Sequence, residues 1–438
     1  MEASEFQDHR KRVCDIFKGS NIPEGTLIYF GGEQPKEPFT DSDLQFYQES
    51  LFFWLTGWEK ADAAIVIDIA TYKSTLLIPR YDDHYQTWVG PIPTKESIIQ
   101  RTGVEAVDFI DTIFNHVKKP HFCIENTRSF PNSDRCSFMH ACSLARAVKS
   151  DAELHCLRKA CEMTGKSIMK VWEEVEPGMV EKEIASIFSY TGARNGCYEN
   201  SFVTIVASGK NSVCLHYCEN SSVIKDGDLV LLDCGLYYEH YAGDVTRTFP
   251  ANGVFSPDQK LVYNLLLDLQ VSLVETVRPS INMVILNQLM FQGIFEIIKK
   301  LEIVPKDAKF NRNIALLFCP HSLSHHLGVN THDVVNLREE TAIEVDLPRP
   351  CPLVPGNVIT IEPGIYFHEV KFNEQRENPE YAIVDFEKAL HYAQTVGGIR
   401  IEDDVIVTEN GSEYCAIIPK TVEEIESIMA AGKAKRSA

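Results

Sequence analysis

Residues 231–250 read LLDCGLYYEHYAGDVTRTFP. An apolar run, Leu229 to Leu232, ends on Asp233, and a second β-like run contains Asp244, with ten residues between the two carboxylates. Gly235 and Gly243 bracket Tyr237 and Tyr238, so the stretch reads as a strand, a bend and an antiparallel strand. Such a return brings Asp233 and Asp244 side by side. Two anions a few Å apart resist joint ionisation, so the pair needs protons, hydrogen bonds or metal ions between them.

Outward from this pair, the composition bounds the answer. At 438 residues, 44% hydrophobic and 24% charged, the chain is long enough for two domains and is globular rather than disordered. Its 42 basic and 62 acidic residues, a formal charge of −20, argue against nucleic acid or an anionic membrane as partner. No run of 18 apolar residues is present, and MEASEFQDHRKR lacks the apolar stretch of a signal peptide, so a cytoplasmic location is expected. Thirteen cysteines without paired spacings suit reduced thiols better than a disulfide framework. Cys214 and Cys218 lack a second cysteine pair that would complete a zinc site.

The pattern predicts a helix over 4–18, then strands at 26–30, 51–55, 63–69, 74–79 and 121–124. A domain boundary is expected near Ser150, where Ser150 and Glu153 form a capping box opening a helix to about Glu174. A second helix runs to about Thr191. Ser256, Pro257 and Gln259 open another, and Thr421 with Glu424 repeats the signal before a tail, GKAKRSA, that reads as frayed. Residues 367–397 read as a variable surface excursion. The order of β pairs and helices predicts an α+β catalytic domain.

Three further stretches carry chemistry. His321, His325 and His326 cluster just before His332; VITIEPG (358–364) ends a β-branched run on Glu362; and GIRIEDDV (398–405) sets Glu402 among β-branched residues, where a buried carboxylate needs a partner. Asp233, Asp244, His325, Glu362 and Glu402 give four carboxylates and one imidazole, a charge matched by two divalent cations. Oxygen-dominated ligation suits Mn2+ and tolerates Co2+ or Zn2+, and two adjacent ions can share a hydroxide nucleophile. Singly, each residue could equally be a turn former, a surface histidine or a solvated acid.

Taken in order, D-x10-D, HxLxHHLG, IEPGIYF and GIRIEDD resemble the pita-bread metallopeptidases, and within them the eukaryotic prolidases, the Xaa-Pro dipeptidases. FGGEQ, KSTLLIPR, TWVG, GKNSVCLHY, FPANGVFSPDQK and PKTVEEIE extend the likeness over nearly the whole chain. The resemblance implies a creatinase-like amino-terminal α/β domain (1–149, structural and dimer-forming) and a pita-bread catalytic domain (150–438). It implies hydrolysis of dipeptides with carboxy-terminal proline by a dinuclear metal-bridged hydroxide. Asp233 would bind one metal, Asp244 and Glu402 both, with His325 and Glu362 completing the set. Glu362 would also shuttle protons; His216 and His332 would hold the scissile carbonyl or its oxyanion, and His321 matches a further pocket histidine. Arg349 would meet the dipeptide carboxylate, and Arg400 would act at the substrate site or behind the metal carboxylates. Ile205 and Trp88 fall where apolar substrate contacts are expected, Trp88 across a homodimer, with core packing the alternative. Prolidases usually carry glycines where Ser322 and Ser324 stand, and an aromatic where His326 stands. Two alternatives remain open: an aminopeptidase P acting on longer peptides, and a non-catalytic pita-bread binding protein.

Overall fold

A computed structural model describes residues 1–124, 130, 133–333 and 352–437. The described residues divide into two compact units, Met1–Val148 with Asp333, and Lys149–His332 continued by 352–437.

In the first unit the strands are β1 (Thr26–Phe30), β2 (Ala64–Asp68), β3 (Ser74–Ile78), β4 (Ala106–Phe109) and β5 (His121–Ile124). They form one sheet ordered β4-β3-β2-β1-β5, antiparallel at its centre and parallel at both edges. Helices Ala3–Gly19 and Arg135–Ala147 belong to this unit, and Val13, Phe17, Phe138 and Ala141 on them are buried. The expected strand at 51–55 is instead part of a helix, Ser50–Thr56. A short run buried on every side has no period that separates helix from strand. The deciding signals flank it: Glu49 accepts the Leu51 and Phe52 N–H groups, and Gly57 closes the helix in the left-handed region, φ 65°.

In the second unit the Ser150 box is formed, with Glu153 N donating to Ser150 Oγ and Ser150 N to Glu153 Oε2, and the helix spans Asp151–Glu174. The next helix spans Glu181–Arg194, and the Ser256 box opens Pro257–Thr276. The strands are β6 (Ile205–Ser208), β7 (Leu229–Cys234), β8 (Tyr237–Tyr238), β9 (Tyr241–Ala242), β10 (Val245–Pro250), β11 (Val358–Ile361), β12 (Gly364–Tyr366), β13 (Gly398–Arg400), β14 (Asp403–Val407) and β15 (Ser412–Tyr414). They make three small sheets, β10-β7-β6, β11-β14-β15 and β12-β13, plus the β8-β9 hairpin. The opening stretch is the antiparallel return it was read to be, with Thr246 opposite Asp233 and the β8-β9 hairpin inserted between β7 and β10.

Two further expectations need correction. Residues 367–397 contain helices Glu369–Gln375 and Phe386–Thr395, whose Phe372, Phe386 and Ala389 join the main apolar core. The tail is not frayed through 437: helix Val422–Ser437 continues to its end, with Lys435 paired to Glu173 at 3.1 Å and Arg436 to Glu176 at 2.7 Å. Its basic last turn sits where the helix dipole favours cations.

Tightness at the return comes from its glycines. A Cβ on Gly235 would lie 1.8 Å from the Gly243 carbonyl oxygen and 2.2 Å from Ser201 Oγ. Backbone cannot yield there without parting β7 from β10. Gly235→Ala is therefore expected to destabilise the protein by about 3 kcal/mol, read as a lowered urea midpoint; an unchanged midpoint would show that the return is looser than described.

Candidate metal centre

β7 delivers Asp233 at its penultimate position, and Asp244 stands immediately before β10. Glu362 follows β11, whose run Pro363 interrupts, and Glu402 stands between β13 and β14. His325 comes from a segment laid along β11: Thr360 N donates to His325 O at 3.0 Å, and His325 N to Thr360 Oγ1 at 3.2 Å. All five line one cavity of about 850 Å3, which also takes in Ile205, His216, His321, His332 and Arg400. Ligand atoms of Asp244, His325 and Glu402 lie within 4.8 Å of one another.

Cross-links between elements hold these carboxylates together. Glu402 N donates to Thr246 O at 3.1 Å, and Asp244 N to Asp404 Oδ2 at 2.9 Å. The Thr246 hydroxyl donates to Glu402 Oε2 at 2.7 Å, and the Thr248 hydroxyl meets both Arg400 O and Arg400 N. Beneath them the fully buried Arg247 bonds Asp403 Oδ1 at 2.6 Å, with Glu402 O and Ile418 O among its other acceptors. The carboxylates cannot drift apart without unpairing buried donors.

Burial, with the charge of Asp233 next, pushes Asp244 well above the ordinary carboxyl range. Burial followed by Asp244 and Asp233 does the same to Glu402, and burial followed by Glu402 raises Glu362. A cation stands among them: Arg400 donates to Asp233 Oδ2 at 2.6 Å, to Thr246 Oγ1 at 3.1 Å and to the Tyr366 hydroxyl at 2.8 Å. Asp233 Oδ1 is buried with no hydrogen-bond partner among the described residues.

The donor set fits divalent metal. His325 Nδ1 faces the His326 carbonyl at 3.1 Å, so Nδ1 carries the proton and Nε2 a lone pair. That lone pair points at Asp244 Oδ2, 3.3 Å away, and Glu362 Oε1 lies at 3.8 Å. Two carboxyl groups and an imidazole converging this closely satisfy one another either by holding protons or by sharing a cation. Around them, burial and then Arg400 lower His321 to about 4, its Nε2 lying 3.0 Å from the Tyr366 hydroxyl. Burial, then His325 and His216, lower His332. Both histidines are neutral at pH 7.

Of the other expected residues, Ile205 is buried and lines the cavity, as do Ser322 and Ser324. Trp88 belongs to the other unit, ends the helix Asp83–Trp88 and is 74% exposed. Arg349 lies outside the described residues. Thr246 and Tyr366 were not singled out. Thr246 had a signal, since it stands two residues from Asp244 on a strand where alternate side chains share a face; Tyr366 had only its place in IYF.

Residues 155–409 match the description "Metallopeptidase family M24", and residues 6–121 match "Aminopeptidase P, N-terminal domain". The chain belongs to metallopeptidase family M24. It is a metal-dependent peptidase, and family M24 implies divalent metal ions in the centre described above. The chain is 32% identical to an Xaa-Pro dipeptidase of Mus musculus over 97% of its own length and 93% of that protein. It is also 32% identical to a probable Xaa-Pro aminopeptidase of Botryotinia fuckeliana, over 97% and 96%. Among solved structures, a zinc-substituted E. coli aminopeptidase P in complex with product superposes with TM-score 0.80 at 27% identity, covering 99% of both chains. No helix among the described residues is long and apolar enough to cross a membrane.

The raised carboxyls set a pH signature for chelated protein. Without a cation, each of Asp244, Glu362 and Glu402 holds its proton in the fold to a higher pH than in the unfolded chain. Their contribution is full below about pH 4 and is lost as pH rises through the folded values. His321 and His332, both lowered by burial, oppose this, their contribution being lost as pH falls from about 6.5, but they are two groups against three. Melting curves should show chelated protein losing stability from pH 5 to pH 8 and divalent cation restoring most at the alkaline end. A metal effect independent of pH would contradict this.

Proposed function

We propose that this M24 peptidase is an Xaa-Pro dipeptidase that works with two divalent cations per chain, most readily Mn2+. The observation that carries the reading is the single cavity lined by Asp233, Asp244, His325, Glu362 and Glu402. Identity of 32% to mammalian Xaa-Pro dipeptidases across 97% of the chain supports the substrate class.

Those five residues would hold the cations. When bound, the cations supply Lewis-acid polarisation of the scissile carbonyl and a water acidified into the neutral range. The chain supplies the rest. Glu362, which burial and Glu402 dispose to hold a proton, accepts one from the attacking water and returns it to the departing proline nitrogen, a poor leaving group until protonated. His332 and His216, both on the cavity wall, donate N–H to the carbonyl oxygen as its negative charge grows. Arg400 fixes Asp233 and Tyr366, and Tyr366 in turn orients His321, so the arginine acts through its neighbours. Arg349 takes the substrate carboxylate and Ile205 packs on the proline side. Residues 1–149 serve as a structural domain through which two chains pair, with Trp88 exposed for that contact. The cytoplasm is the expected location, consistent with the 12 free cysteines described.

Aminopeptidase P is the second reading, favoured by a cavity of about 850 Å3, larger than a dipeptide fills, and by the E. coli structural relative. Mn2+-loaded protein should hydrolyse Gly-Pro faster than Gly-Pro-Ala; an exclusive preference for the tripeptide would select the second reading. Glu362→Gln should lower kcat by about 100-fold or more, while Asp244→Ala should lose both bound metal, by elemental analysis, and turnover. Full activity in either variant would remove these residues from the centre.

A further inference from the structure

Among the described residues, a buried carboxylate of the catalytic unit lies outside the metal centre and makes no ion pair. Glu181, the first residue of the helix Glu181–Arg194, is 0% exposed. Its sequence position suggests an ordinary acidic residue complementing a helix N-terminus. Its contacts are instead non-local. Oε1 accepts from Ser208 N at 2.8 Å, Ser208 Oγ at 2.7 Å and Asn211 Nδ2 at 2.9 Å. Oε2 accepts from the Tyr217 hydroxyl and from Ser222 N, both at 2.9 Å. All five donors are neutral, and all lie within 208–222, in or just after β6. The Glu181 backbone N–H adds a bond to Ser222 O at 3.0 Å.

This segment is long and has little regular structure of its own beyond one 3-10 turn, Gly209–Val213. A second clamp lies within the same span: Asn220 accepts from Val206 N at 2.8 Å and donates to Thr204 O at 2.7 Å. Between the clamps, Leu215 and Tyr217 pack against the cluster of Ile205, Ala207, Leu231 and Tyr366. The residue between them, His216, is exposed and lines the metal-centre cavity. Tyr217, bonded to Glu181, directly follows His216 in the chain.

We propose that Glu181 is a positioning residue for catalysis: its carboxylate gathers Ser208, Asn211, Tyr217 and Ser222 so that His216 faces the substrate. This rests on the reading of His216 as the group that meets the carbonyl oxygen. A carboxylate is required because both oxygens face backbone N–H groups, which can only donate. A glutamine of equal size turns an NH2 onto one of them in either orientation.

Glu181→Gln is tested in the full-length, Mn2+-loaded protein, alone and with His216→Ala, for Gly-Pro kinetics and metal content. Glu181→Gln should lower kcat by about 10- to 100-fold with two metal ions per chain retained. In the His216→Ala background its further effect should fall below about 3-fold. An equal loss in both backgrounds, or a loss that tracks departing metal, would overturn the proposal. Hydrogen–deuterium exchange of the 208–222 peptides is read alongside and needs no turnover. Faster exchange confined to that segment in Glu181→Gln supports the clamp, and unchanged exchange refutes it. If His216→Ala is itself fully active, or the parent protein cleaves no Xaa-Pro peptide, the underlying reading fails while the exchange result still decides the clamp.

Discussion

Four carboxylates, Asp233, Asp244, Glu362 and Glu402, line one largely buried wall with, among the described residues, a single guanidinium, that of Arg400, beside them. Everything else in the catalytic unit answers to that arrangement. Like charges brought this close and withdrawn from water either take up protons or gather cations. Burial and mutual repulsion drive three of the four toward the protonated form, so binding of divalent metal competes with protons for the same oxygens. The site is thereby both a destabilising element of the fold and its means of gathering metal.

Holding such a cluster requires a scaffold that cannot relax. Three small sheets, each too narrow to be stable alone, are laced together at the acids themselves. Thr246 and Thr248 of β10 bond Glu402 and Arg400, while Asp404 holds the backbone of Asp244. Arg247 closes the underside through Asp403, which Gln270 and Lys420 also contact. Candidate ligands and supporting residues follow one another on the same strands, so one register fixes both. The histidine-bearing wall is tied in from another direction, through Arg400, Tyr366 and His321.

Much of the centre was legible because its four carboxylates sit at or beside strand ends with local signals in the sequence. Asp233 precedes a glycine hairpin, Glu362 precedes Pro363 and Gly364, and Glu402 divides two β-branched runs. Residues without such punctuation were harder to read. Leu51–Leu55 is buried on all sides and carries no period, and the helix at 422–437 ends in charges that resemble a solvated tail until Glu173 and Glu176 are seen beside them. The helices within 367–397 bury only a few aromatics, too sparse a pattern to mark a core segment. Glu181 illustrates the wider limit: nothing local distinguishes a helix-opening glutamate from one that fastens a loop 30 residues away.

The proposed function requires the buried carboxylates and His325 to hold two metal ions side by side. Anomalous diffraction from crystals grown with Mn2+, collected around the manganese absorption edge, tests this directly. Two peaks about 3.5 Å apart, flanked by Asp244 and Glu402 with Asp233 on one side and His325 and Glu362 on the other, are predicted. A map with no peak among these residues, or with Mn2+ bound only elsewhere, would contradict it.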